Sequence, residues 1–179
     1  RLDAAIAEIF GETTRDRWAA LAEYYKESHR ALRAGGERYD PLFPGALEAI
    51  EAIEASGCLL GVATGKGRRG LDLVLEMHGL EGRFVTLQTA DTGPGKPHPD
   101  MLERAMGEAG VEPGDTLMIG DTSFDMAMAR AAGAHALGVG WGYHPVADLW
   151  RAGAHGVAGA MPEVPDFVAR LLPAVRTPA

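Results

Sequence analysis

Thr116-Leu117-Met118-Ile119-Gly120-Asp121-Thr122-Ser123-Phe124-Asp125 is the stretch on which the fold turns. Its apolar run, 117–119, is short, continuous and bounded by turn residues, which suits a strand buried on both faces. Gly120 lets the backbone turn sharply and lets a ligand come close. Asp121 then stands at the strand's carboxyl end, where open α/β sheets place their ligands. Asp125 follows four residues later, in the first turn of a helix continuing through Met126, Met128 and Ala131. Two readings are open here. Two carboxylates converging beside a strand end suit a hard cation such as Mg2+. Alternatively, Asp121 caps the helix and Asp125 favours its positive end.

Outward from this stretch, strands and helices alternate. Upstream, the pattern predicts a helix over 46–55, a strand over 58–63, a helix over 69–77, a short strand over 84–87 and a helix over 100–109. Downstream, it predicts a helix over 123–132, a strand over 135–139, a short helix near 146–151, a weak strand at 156–157 and a last helix over 166–172. This alternation implies a doubly wound, mostly parallel α/β sheet with helices on both faces. Residues 1–40 read differently. Leu2, Ile6, Ile9 and Phe10 recur at helical spacing, and Thr13 or Thr14 opens a longer helix to about Ala34 that Gly35-Gly36 stops. Trp18, Tyr24 and Tyr25 there read as packing residues rather than a ligand cage. The one shift in composition falls near 41–45, separating a helical segment, 1–40, from an α/β body, 41–179.

The 179 residues carry a formal net charge of −8. That excess argues against a nucleic-acid or membrane-surface partner, while leaving room for a small anion at a local positive site. Cys58 is the single cysteine, so no intrachain disulfide forms, and a reducing cytoplasm is the expected home. No apolar run is long enough to cross a bilayer as a helix. At this length roughly 70% of the unfolded surface can be buried without a staple. Lysine is scarce: only Lys26, Lys66 and Lys96 occur among 17 basic residues, and two of them sit in glycine-flanked loops. A compact ammonium in those loops is one explanation, and the base composition of the gene is another.

Three strand ends carry chemistry. Thr64-Gly65-Lys66-Gly67 closes one strand, Lys96 lies in the Gly- and Pro-rich loop 91–99, and Asp121 with Asp125 follows the strand at 117–119. Strands of a parallel sheet run the same way, so these ends gather on one edge. A hydroxyl, an ammonium and two acids there suit phosphoryl transfer. Thr64 and the N–H groups of Gly65 and Lys66 donate to phosphate oxygens, Lys96 neutralises charge on the transferring group, and the acids hold Mg2+. Taken singly, Thr64-Gly65 is an ordinary turn, Lys96 a solvated loop lysine and His98 an exposed loop histidine. Cys58 is a small apolar strand residue with no base nearby in sequence. Met126 and Met128 read as core, and Trp141, Tyr143 and His144 are candidate pocket walls. The conjunction at successive strand ends favours the functional reading.

In that order the motifs resemble the haloacid dehalogenase-like (HAD) superfamily of phosphatases, over roughly 41–174. Val62-Ala63-Thr64-Gly65-Lys66 looks like its second motif, Gly95-Lys96-Pro97-His98-Pro99-Asp100 like its third, and Met118 to Asp125 like its fourth. Pro44-Gly45 and Gly140-Trp141-Gly142-Tyr143-His144 resemble the phosphoglycolate phosphatase-like branch. The resemblance implies a HAD-like Rossmannoid core, with 1–40 as part of a mobile helical cap that excludes water and selects substrate. It implies that Thr64 bonds a phosphate oxygen and that Lys96 bridges phosphate and nucleophile. Asp121 would then ligate Mg2+, with Asp125 holding Asp121 or a metal-bound water from outside the coordination sphere. The expected substrate is a small phosphorylated metabolite, phosphoglycolate first. Another phosphomonoester, a nucleotide or pyrophosphate is the alternative within the enzymes. A dehalogenase or a receiver-like regulatory domain fits less well. The motifs do not specify an oligomeric state.

One departure matters most. The family's first motif, Asp-x-Asp-Gly-Thr/Val, supplies the nucleophile and general acid/base, and no two aspartates here stand one residue apart. In the family that motif precedes the cap, on a strand lying between those that end at Thr64 and Asp121. Without it, two strands face a gap in which unsatisfied backbone groups cost roughly 1–3 kcal/mol each. The expectation is an upstream segment of roughly 40–70 residues that supplies the strand, the nucleophile and the first cap helix. A chain that naturally starts at Arg1 would instead be a catalytically silent binding module.

Overall fold

The computed structural model describes residues 40–172, together with Ala20, Leu21, Tyr24 and Glu27, which are helical. The chain divides into two compact units, Arg1–Pro41 and Leu42–Ala179. The helices expected over 2–10 and most of 13–34 lie outside the described residues.

In the second unit the order is α1 (Ala46–Ala55), β1 (Gly61–Ala63), α2 (Arg68–Met77), β2 (Thr86–Gln88), α3 (Asp100–Ala109), β3 (Leu117–Gly120), α4 (Ser123–Ala131), β4 (His135–Val139), α5 (Val146–Arg151), β5 (Gly156–Ala158) and α6 (Val164–Leu171). Two short 3-10 turns, Pro113–Asp115 and Met161–Glu163, lead into β3 and α6. Every described pairing is parallel, as the alternation of strands and helices requires. The α/β architecture with parallel sheets expected from sequence is therefore the one observed.

The strands form two sheets, β1–β2 and β3–β4–β5, and β1 and β3 are not hydrogen-bonded to each other. In a parallel ladder the backbone groups of alternate residues point to opposite sides. The Leu60 carbonyl accepts from Val85 N–H, and Thr64 N–H donates to the Gln88 carbonyl, so even-numbered residues of this strand face β2. Gly61 and Ala63 therefore turn their N–H and C=O groups away from it. Likewise the Thr116 carbonyl accepts from His135 N–H, which leaves Leu117 and Ile119 facing away from β4. Burial follows the same division. Four of the five β4 residues are buried, whereas Gly61 is exposed and Leu117 and Ile119 are only half-buried. The expectation of a 117–119 run buried on both faces is thus corrected: Met118 is buried, but its two neighbours sit at an open edge.

Two layers of side chains hold the sheets together. On one face, Met101, Leu102 and Met106 of α3 share a core with Met118 of β3 and with Met126, Met128 and Ala129 of α4, and Ala63 packs against it. Met101, Met126 and Met128 are fully enclosed, each stabilising the fold by about 1.5–3 kcal/mol. Helix α3 also packs on β1 and β2, so it bridges the two sheets. On the other face, Ile53 of α1 and Val164 and Val168 of α6 cover Leu137 and Ala158, with Leu60 and Ile119 at the margin. A third cluster seats Leu71 and Leu75 of α2, with Leu80, against Val62 and Leu87. The strands expected over 58–63 and 84–87 shrink to Gly61–Ala63 and shift to Thr86–Gln88, because β1 and β2 have only each other to pair with. Leu59 and Val85, outside that ladder, are 59% and 52% exposed.

Candidate active site

β3 ends at Gly120, and α4 starts on a capping box one residue beyond Asp121, the cap that one of the two sequence readings offers. The N-cap is Thr122, in extended conformation, not Asp121. Thr122 Oγ1 accepts from Asp125 N–H at 3.2 Å, and Asp125 Oδ2 accepts from Thr122 N–H at 3.0 Å and from Thr122 Oγ1 at 2.7 Å. Asp125 is 3% exposed. Its second oxygen, Oδ1, accepts from Lys96 Nζ at 2.5 Å, a charge-assisted bond. Its carboxylate packs so closely on Gly120 that any side chain at 120 would overlap it. The close approach that Gly120 permits in this structure is therefore to Asp125.

Asp121 is freed from capping and is held from the other side by the loop after β4. Gly120 is paired with Gly138, so the loops that leave β3 and β4 are neighbours. Tyr143 N–H donates to Asp121 Oδ2 at 3.0 Å, and His144 N–H donates to the Asp121 carbonyl at 3.2 Å. A Cβ at Gly142 would overlap the Asp121 side chain, so only glycine allows this contact. The His144 ring returns to α4: Nδ1 accepts from Ser123 N–H at 3.2 Å and lies 3.1 Å from Ser123 Oγ. Phe124 meets that ring edge-on at 5.5 Å. Asp121 Oδ1 accepts no hydrogen bond from the described residues. The sequence reading offered Trp141, Tyr143 and His144 as pocket walls and missed that 142–144 orient Asp121. The signal was the glycine two residues past Gly140, opposite the aspartate across a parallel pair.

Thr64 directly follows β1. Its N–H is taken by Gln88, and its Oγ1 accepts from Lys66 N–H at 3.1 Å. The Lys66 N–H, expected to face a phosphate, is thereby turned onto Thr64, which leaves the threonine O–H to donate outward. Gly65 faces open space. Among the described residues, Thr64 makes no hydrogen bond to Lys96 or Asp121. What joins the two sheets at this edge is the Lys96–Asp125 pair, linking the loop after β2 to the helix after β3. His98 caps locally, its Nδ1 accepting Asp100 N–H at 3.2 Å.

Among the described residues, no three His, Cys, Asp or Glu side chains converge as a metal site. Mg2+ is usually bound through one or two carboxylates, with waters and substrate phosphate completing its shell. The donors present fit that pattern in one way: Asp121 offers the uncommitted Oδ1, while both oxygens of Asp125 are already engaged.

Comparison with known proteins gives this arrangement its family. Residues 2–139 match the haloacid dehalogenase-like hydrolase family, and the chain belongs to it. A protein named "Probable phosphatase IndB" from Dickeya dadantii is 38% identical over 109 residues, covering 60% of this chain and 47% of that protein. A phosphoglycolate phosphatase from Vibrio vulnificus is 31% identical over 135 residues, covering 75% of this chain and 54% of its own length. The chain thus spans about half the length of the curated relatives it matches. In fold it resembles a crystal structure titled as a predicted phosphatase from Clostridium acetobutylicum. That likeness has a TM-score of 0.83 at 22% identity, covering 95% of this chain and 77% of that one.

Proposed function

We propose that the protein to which these residues belong is a Mg2+-dependent phosphatase of small phosphomonoesters, with phosphoglycolate as the first candidate substrate. The observation that carries this reading is the Lys96 Nζ–Asp125 Oδ1 pair at 2.5 Å. It fixes an ammonium against the helix that follows β3 and Asp121, at the carboxyl edge of a parallel sheet. The family membership and the phosphoglycolate phosphatases among the relatives support the same chemistry.

In this reading the substrate phosphate lies between the ends of β1 and β3. The Thr64 hydroxyl and the Gly65 N–H donate to its oxygens, and Lys96 balances its charge. Asp121 Oδ1 would hold Mg2+, which would supply further charge neutralisation. An aspartate from chain beyond these 179 residues attacks phosphorus, on a strand that pairs with the open edges of β1 and β3. The new P–O bond forms as the ester P–O bond breaks, and the departing alkoxide takes a proton from the general acid that accompanies the nucleophile in the family's first motif. Water then attacks phosphorus, releasing phosphate and regenerating the carboxylate. The backbone groups of Gly61, Ala63, Leu117 and Ile119 that face away from β2 and β4 support such a strand. So do relatives of which this chain matches only about half the length. Residues 1–40 act as part of the cap. Among the described residues no helix is long and apolar enough to cross a membrane. A cytoplasmic location belongs to this proposal, resting on the single cysteine.

The test is a phosphomonoester panel, including phosphoglycolate, nucleotides and pyrophosphate, run on the complete protein with and without Mg2+. Lys96→Ala and Asp121→Ala should each lower kcat/KM by about 10²-fold or more. Activity insensitive to both substitutions would sink the site assignment. No hydrolysis by the complete wild type would favour a phosphate-binding module instead.

A further inference from the structure

A run of polar side chains that the proposed reaction does not use lies beneath the Lys96 loop. Thr86 and Gln88 of β2, and Thr89 after it, are 5%, 4% and 4% exposed. Thr86 Oγ1 donates to Glu108 Oε2 at 2.5 Å, and Gln88 Nε2 donates to Thr86 Oγ1 at 2.9 Å. Arg104 of α3 closes the chain: its Nε donates to Gln88 Oε1 at 3.0 Å and its Nη2 to the Thr92 carbonyl at 2.9 Å. Arg104 Nη1 stands 2.7 Å from Asp100 Oδ2 as an ion pair without a well-directed hydrogen bond. All three guanidinium nitrogens are therefore committed, to a strand, a loop and the start of a helix.

A polar chain whose middle, Thr86 and Gln88, is buried is a costly way to fill space, because apolar residues of similar volume pack there at least as well. Its geometry shows what it achieves. The segment 89–99 has no helix or strand, yet it carries Lys96 to 2.5 Å from Asp125. Its first half is tied down by Ala90 N–H to the Lys66 carbonyl and by Asp91 Oδ2 accepting Arg68 N–H at 2.5 Å. Its middle is held by Arg104 through Thr92. Gly93 adopts φ +71°, and a Cβ there would overlap Asp100 and Arg104, so the loop lies directly on the guanidinium.

We infer that Arg104 is a positioning residue for Lys96: its guanidinium staples the 89–99 loop to β2 and α3, and so sets where the ammonium stands. The consequence for phosphate chemistry rests on the reading of Lys96 given above, whereas the positional claim does not. A lysine could not replace it, since one ammonium cannot span Gln88 and Thr92 in a planar fork.

Residue-resolved acetylation of the intact chain tests this. Acetic anhydride is the probe, peptide mass spectrometry the readout and Lys66 the internal reference. The variants are Arg104→Met, Arg104→Lys and Gly93→Ala. Arg83→Met serves as control, because Arg83 pairs with Glu54 at 3.0 Å in a different part of the unit. Cooperative urea unfolding is required of each protein scored. Lys96 acetylation relative to Lys66 should rise several-fold in all three variants and stay at the wild-type ratio in Arg83→Met. Arg104→Lys keeps the charge and the stem, and is the variant to score if Arg104→Met does not fold. An unchanged Lys96 ratio in a folded Arg104 variant overturns the inference. In the complete enzyme, Arg104→Lys should lower kcat about tenfold or more with a smaller effect on KM, as misplacement of a reacting group does. Full activity in Lys96→Met would instead remove the functional reading of Lys96 and leave the labelling result standing.

Discussion

The Lys96–Asp125 pair makes a quantitative prediction that needs only the complete protein and a denaturant. Lys96→Met leaves Asp125 Oδ1 with no donor at a residue 3% exposed, while Thr122 still satisfies Oδ2. Removing one partner of a buried pair typically costs 3–5 kcal/mol, and about 3 kcal/mol is expected here because one oxygen stays bonded. Asp125→Asn should cost less, about 2 kcal/mol, for two reasons. The amide oxygen keeps the capping box, and the Lys96 side chain, already 19% exposed, can carry its ammonium to water. The double variant Lys96→Met, Asp125→Asn leaves no orphaned charge and should also cost only about 2 kcal/mol, a coupling energy near 3 kcal/mol. Urea unfolding of the four proteins, followed by tryptophan fluorescence, supplies the cycle. The coupling should persist in added salt, since buried pairs are screened little. Single costs that add to within about 0.5 kcal/mol in the double variant would show that the two groups do not interact in solution.

The same contacts set further outcomes. Gly142→Ala forces a methyl group onto Asp121, and should weaken the Mg2+ dependence of the complete enzyme by about 10–100-fold. Tyr143→Phe should leave that dependence unchanged, because the bond to Asp121 comes from the backbone N–H. Thr122→Ala removes the N-cap acceptor and a donor to Asp125, and should cost about 1–2 kcal/mol of stability in urea, with Thr122→Ser recovering most of it. His155 is lowered from its ordinary value of 6.5 by burial first, then by Arg130 and His135. Its Nδ1 accepts Ala136 N–H at 2.9 Å, which requires an unprotonated nitrogen. The unfolded chain therefore binds this proton at a higher pH than the folded one. Stability contributed here is complete above about pH 6.5 and is lost as the pH falls through the lowered folded value. Asn at 155 keeps an acceptor for Ala136 without titrating, so His155→Asn should flatten that acid slope in urea midpoints between about pH 5 and 7. An identical slope in the variant would assign it to other groups.

The parts that sequence conveyed are those with a local cause. Helix Asp100–Ala109 has both bounds as expected from its pattern, and so have the strand His135–Val139 and the helix Val146–Arg151. Strand lengths in the first sheet were not legible, because β1 and β2 extend only as far as a partner offers groups to bond. Lys96 and Asp121 stand out in sequence through their glycine-rich settings. The residues that orient them do not. Arg104 looks like one more arginine on an exposed helix face, and its partners Gln88 and Thr92 are 16 and 12 residues away. Gly142 looks like a flexible loop residue until the parallel pairing of β3 with β4 sets it against Asp121. Side chains that hold other side chains carry no motif of their own.

Asp125 dissolves the choice between a capped helix and an acid site. Thr122, one residue beyond Asp121, takes the capping role, and Asp125 completes the box with Oδ2 while giving Oδ1 to Lys96. One buried carboxylate therefore anchors a helix start and an ammonium at once, so the turn that presents Asp121 and the loop that presents Lys96 are fixed against each other. Because Asp121 has no part in the cap, its position is left to Tyr143 N–H and the bare Gly142 backbone, both from the loop after β4. Three loops, after β2, β3 and β4, are thus joined by two carboxylates, and of their four oxygens only Asp121 Oδ1 is left uncommitted. An extra methyl at 142 and a lost ammonium at 96 should accordingly disturb different things. The first moves the remaining oxygen with little effect on unfolding; the second weakens the whole edge, which the denaturation cycle and the Mg2+ titration can separate.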